Sequence, residues 1–167
     1  TLVFDCRCDI KDSTYGIQAY TEGHIPGSIY VNVDTDLASE KTPSSGRHPL
    51  PDADALSEKL SQWGLSSEKQ AVIYDDASGA FAGRMWWILK WLGHKKVAVL
   101  DGGLGSYMSI WGKLTTDETI FEKNIFTPNI QSEMVVEITD VEEAQYKMNK
   151  LIIDARSKER YLGIKDL

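Results

Sequence analysis

The sequence predicts an α/β fold: a mostly parallel sheet flanked by helices on both faces, followed by the incomplete start of a second copy. Three observations predict it. Short apolar runs alternate with segments of helical pattern, the order of elements that builds parallel sheets. The runs lack polar alternation, as strands covered on both faces do. The pattern closes over residues 1–113, passes through a polar stretch at 114–133, and restarts over 134–167.

The elements follow in order. Leu2-Val3-Phe4 is an apolar run ending in Asp5 and suits a central strand. Tyr15–Thr21 reads as a short helix closed by Gly23. Ile29–Val33 reads as a second strand, entered through a Pro26-Gly27 turn. Residues 40–52 are rich in Pro, Ser and Gly and form a surface loop. Asp52 or Asp54 caps the next helix, whose Leu56, Leu60 and Trp63 make one apolar stripe before Gly64. Ala71–Tyr74 is a buried strand. Gly79–Leu92 is a helix apolar nearly all round, stopped by Gly93, and its Arg84 should have a carboxylate partner among Asp5, Asp75 and Asp101. Val97–Leu100 is a further buried strand, and a short helix with Tyr107 and Trp111 follows Asp101-Gly102-Gly103.

Residues 114–133 read as a linker. Beyond it, Met134-Val135-Val136 precedes a Thr139-x-x-Glu142 capping box that opens a helix through Tyr146. Leu151-Ile152-Ile153-Asp154 reads as a strand ending in Asp. Asp154-Ala155-Arg156 then repeats the Asp5-Cys6-Arg7 order of the first copy.

Composition narrows the function. A chain of 167 residues with 42% hydrophobic side chains can bury a core. The net charge is −7 and no basic cluster exceeds Lys95-Lys96, so no nucleic-acid partner is expected. The apolar stretch Met85–Leu92 is interrupted by Lys90 and falls short of the roughly 18 residues of a membrane span, so no membrane partner is expected. Cys6 and Cys8 lack a second ligand pair, and His24, His48 and His94 are scattered; two thiols, no metal and a cytoplasmic location are the reading. His24 reads as a structural hydrogen-bonder. Residue 1 is not Met and an apolar run begins at residue 2, so the sequence reads as a segment of a longer chain.

The loop after Tyr74 carries the chemistry. A turn between a parallel strand and a helix is where an α/β enzyme places a nucleophile or cradles an anion. Here it holds Asp75 and Asp76, a carboxylate pair that repels anions. Asp75 is best suited to accept N–H bonds from the loop and the helix start. A phosphatase loop, with Cys six residues before Arg, is absent: positions 12 and 14 are Asp and Thr.

Five motifs in order carry a resemblance. They are the run from Tyr20 to Ser28 (YTEGHIPGS), Gly46–Pro51 (GRHPLP), Val72–Asp75 with Arg84–Trp87, Leu100–Leu104 (LDGGL), and Asp154–Arg156 with Glu159–Tyr161. Together they resemble the rhodanese family, in particular its tandem-domain sulfurtransferases acting on thiosulfate or 3-mercaptopyruvate. The resemblance implies a non-catalytic first domain in which Asp75 stands where the second domain has its nucleophilic Cys. That Cys is then expected beyond Leu167. It also implies a small anionic sulfur donor, a thiol or cyanide acceptor, no cofactor, and substrate-binding roles for Arg160 and Arg156. Cys8 falls where tandem enzymes often carry an aromatic residue. The alternative reading is an inactive docking or regulatory module.

Overall fold

The computed structural model describes residues 1–147 and 149–165; Met148, Asp166 and Leu167, within the second copy, lie outside them. Two compact units divide the chain, Thr1–Gln131 and Ser132–Leu167.

The first unit is built on a four-stranded, all-parallel sheet in the order β2-β1-β3-β4, formed by β1 (Leu2–Asp5), β2 (Ser28–Tyr30), β3 (Ala71–Tyr74) and β4 (Val97–Val99). Register aligns Phe4 with Ile29 and Ile73, and Asp5 with Tyr30 and Tyr74. Four helices connect and follow the strands: α1 (Tyr15–Glu22), α2 (Ala53–Gln62), α3 (Ala82–Trp91) and α4 (Gly103–Ile110). Parallel neighbours require such crossovers, and these cover the central strands, so Phe4, Ile73 and Tyr74 are fully buried. Asp52 caps α2, its side chain accepting from the Ala55 N–H at 2.8 Å.

Several boundaries differ from the sequence reading. β2 ends at Tyr30 rather than Val33, and α3 begins at Ala82 rather than Gly79. β4 was expected to be buried but stands at the sheet edge, with Ala98 and Val99 exposed. Among the described residues Arg84 makes no ion pair. Its guanidinium donates to three backbone carbonyls, those of Leu37 (2.6 and 3.0 Å), His48 (3.1 Å) and Pro49 (3.1 Å). The fork geometry of guanidinium matches convergent carbonyls as well as it matches a carboxylate. Arg84 therefore pins the loop over residues 37–49 to α3. Arg84→Ala is expected to lower stability by about 2 kcal/mol, the worth of hydrogen bonds to a charged group. Unchanged thermal melting would contradict this.

The expected linker is, as far as Gln131, a strap across the first unit. Thr115 and His24 exchange backbone bonds at 2.9 Å, Asn124 N donates to Ser61 O, and Asn129 and Gln131 donate to Leu92 and Trp91 carbonyls. Phe126 is its buried anchor. Gly93 permits the close approach: with φ +82 it has no Cβ, and one would lie 2.4 Å from the Asn129 carbonyl oxygen.

The second unit differs more. A 3-10 turn covers Ser132–Met134 and ends on the first residue of the apolar run Met134-Val135-Val136. Helix α5 (Ile138–Ala144) starts two residues early, and its capping box is Glu137 with Asp140 rather than Thr139 with Glu142. Residues 151–154 form no strand, and Leu151 and Ile153 are about four-fifths exposed. Strand residues are held by partners across a ladder, and among the described residues none lies beside this run. Helix α6 (Lys158–Tyr161) follows, capped by Ser157.

Candidate functional site at the carboxyl edge of the sheet

Parallel α/β sheets place ligands at the carboxyl ends of their strands. Here that edge carries Asp5, the last residue of β1, Asp75, which follows β3, and Asp101, two residues beyond β4.

Asp75 sits in a cradle of backbone donors. Its Oδ1 accepts from Ala77 N (3.0 Å) and Gly79 N (2.8 Å), and its Oδ2 from Phe81 N (2.9 Å) and Ala82 N (2.9 Å). Ser78 (φ 57) and Gly79 (φ 85) are left-handed in succession, which turns successive N–H groups inward. Gly103 docks the next turn against the same residue: Leu104 N donates to Asp75 O, and a Cβ on Gly103 would fall 2.3 Å from that oxygen. The cradle has the form of an anion site, and the anion is the protein's own side chain.

Asp76 is exposed and accepts from the Tyr15 hydroxyl, a bond that pushes the Tyr15 pKa up to about 12. A concavity of about 710 Å³ opens beside these residues, lined by Asp75, Asp76, Asp101, Gly102 and Gly103 among others. Three carboxylates at its wall disfavour an anionic ligand. Among the described residues, no group of His, Cys, Asp and Glu is arranged to hold a metal.

The neighbouring loop is organised by Asp5. Arg7 donates to it through its backbone N (3.0 Å), Nε (3.1 and 3.0 Å) and Nη2 (2.7 Å), and the Tyr74 hydroxyl donates at 2.6 Å. Arg7 Nη2 also reaches Gly23 O at 2.8 Å, tying β1 to the end of α1. Burial, then Asp5, raises the Tyr74 pKa. Sequence reading missed this cluster; the repeated Asp-x-Arg order was its one signal.

Neither cysteine is set up as a nucleophile. Cys6 is fully buried beside Met85 Sδ, and burial pushes its thiol well above the ordinary value. Cys8 is half-buried, and burial followed by Asp34 and Asp9 pushes its pKa up to about 11. Sulfur attack requires the thiolate, so both stay protonated at neutral pH. His48 bonds Asp34 at 2.6 Å on the loop and lies outside the cradle.

In the second unit, Arg156 grips Asp154 through N, Nε and Nη2 at 2.6–2.9 Å, the same fork that Arg7 makes on Asp5. The two copies thus share a local geometry, buried in one and exposed in the other. Hydrogen bonds from Arg156 lower the Asp154 pKa to about 2, with Arg160 contributing. Arg160 is half-buried, and its Nε has no hydrogen-bond partner.

Residues 1–109 match the model of the rhodanese-like domain, and the chain belongs to the rhodanese family. It is 37% identical over 164 residues to a Pseudomonas aeruginosa protein named "Probable 3-mercaptopyruvate sulfurtransferase", covering 97% of this chain and 58% of that one. The crystal structure of SseA from Escherichia coli, a 3-mercaptopyruvate sulfotransferase by its description, superposes with a TM-score of 0.84 at 27% identity, over 96% of this chain and 61% of SseA. A 3-mercaptopyruvate sulfurtransferase from Leishmania major superposes at 0.79 with 26% identity, covering 96% of this chain and 44% of that one. The chain therefore spans a little over half the length of the Pseudomonas relative.

Proposed function

We propose that this chain is the non-catalytic first domain, with the opening of the second, of a cytoplasmic sulfurtransferase. The whole protein moves sulfane sulfur from thiosulfate or 3-mercaptopyruvate to a thiol or cyanide through a Cys persulfide. The Cys lies among residues that follow Leu167. One observation carries this reading: the cradle that could stabilise a thiolate is closed by the Asp75 carboxylate and its four N–H bonds. The two cysteines support it, since their surroundings raise their pKa values, against the needs of sulfur attack. The free thiols also suit a reducing compartment. Among the described residues no helix is long and apolar enough to cross a membrane.

Arg160 is the anion-binding residue in this reading, because its Nε is unengaged whereas Arg156 already grips Asp154. A guanidinium fork suits sulfonate or carboxylate oxygens. The test is cyanolysis by the longer protein. Thiocyanate formation is expected to survive Cys6→Ala with Cys8→Ala, and to show a raised KM for donor in Arg160→Ala. Loss of turnover in the double cysteine variant, with the fold intact, would overturn the proposal.

A further inference from the structure

The strap carries two phenylalanines with different fates. Phe126 is buried, whereas Phe121 stays 37% exposed and lines a cavity of about 320 Å³. The other walls come from α1 and the turn after it, with Tyr20 and His24, and from β2, with Tyr30. All of these residues belong to the unit Thr1–Gln131. The cavity is at the small end of ligand pockets.

Its rings are held in place. The centroids of Tyr20 and Tyr30 lie 5.6 Å apart with the planes at 41°. His24 stacks on Tyr20 at 3.8 Å and 7° and braces it. The Tyr20 hydroxyl donates to the Ser28 carbonyl at 2.7 Å, and the Thr119 hydroxyl of the strap donates to the same oxygen at 2.7 Å. A ligand therefore meets a wall that is already ordered, which spares the cost of ordering it.

The chemistry of that wall selects a cation. Aromatic faces carry the negative part of the ring quadrupole. Burial raises the Tyr20 pKa and pushes that of Tyr30 up to about 12, so both are neutral phenols near pH 7 and attract through their faces. Glu118 adds one carboxylate, and among the described residues no Lys or Arg lines the cavity. An anion finds few donors, because the hydroxyls of Tyr20, Thr21 and Thr119 already donate to backbone carbonyls. Ring faces cannot replace the water that a primary ammonium gives up, whereas a quaternary ammonium has no N–H to satisfy.

We propose that the cavity between α1, β2 and the strap binds a small quaternary ammonium compound of choline size, with its methyl groups against Tyr20, Tyr30 and Phe121 and its charge beside Glu118. The site shares no lining residue with the concavity beside Asp75 and is independent of sulfur transfer.

The test is titration of the 167-residue chain with choline chloride, followed by ring-proton NMR. Saturable shifts are expected at Tyr20, Tyr30 and Phe121, with a Kd of about 1 mM. Dimethylbutanol, in which carbon replaces the nitrogen, is expected to bind about tenfold more weakly. Phosphocholine is also expected to bind more weakly than choline, because its phosphate adds negative charge near Glu118. Phe121→Ala and Glu118→Gln change exposed side chains, so each is expected to weaken choline about fivefold while thermal melting stays unchanged. Absent or unsaturating ring shifts, equal affinity for the carbon isostere, tighter binding of phosphocholine, or an affinity unmoved in either variant would overturn the assignment.

Discussion

Asp5→Ala is expected to destabilise the first unit by about 3–5 kcal/mol, the cost of removing one member of a buried ion pair. Asp5 has no exposed surface, and Arg7 is 5% exposed. Without the carboxylate, the guanidinium keeps only the Gly23 carbonyl, and the Tyr74 hydroxyl loses the acceptor to which it donates at 2.6 Å. An unpaired buried cation costs far more than the pair contributes, which is why one-sided removal is severe. Asp5→Asn keeps the volume and one oxygen, and should fall between the two. Urea unfolding measures the effect as a lower midpoint at unchanged slope. A loss under about 1 kcal/mol would mean the cluster is incidental to the fold.

Asp75→Ala has the second large effect. Four backbone N–H groups lose their acceptor at once, and Asp75 itself is 1% exposed. Each stranded donor costs about 1–3 kcal/mol when water cannot reach it. The concavity beside the cradle lets some of the four rehydrate, so a net loss of about 3 kcal/mol is expected. Asp75→Asn retains one oxygen and should lose less. Exchange protection should fall at Ala77, Gly79, Phe81 and Ala82 while β1 stays protected. Uniform loss across the sheet would contradict a local role.

These two aspartates show how differently sequence reveals structure. Asp75 was legible because strand, loop and helix were legible: a carboxylate at a helix start has few uses other than accepting N–H bonds. The Asp5–Arg7 fork was visible only as a repeated order of residues, since spacing does not say which side chains pair. Arg84 was read toward a carboxylate because charge invites that inference, whereas the loop over residues 37–49 folds three carbonyls onto it. The run Leu151–Asp154 has strand composition yet forms no strand, because a ladder is a property of neighbours rather than of one segment. The strap read as a linker for a related reason. Its few apolar anchors, such as Phe126, lack any period that announces a partner.

Sulfur loading measures the central claim most directly. The chain is incubated with thiosulfate or 3-mercaptopyruvate, and its intact mass and Cys-containing peptides are weighed. The account expects no added sulfur atom on Cys6 or Cys8, whose thiols stay protonated near neutrality. A stoichiometric persulfide on either cysteine, removed again by cyanide, would contradict it.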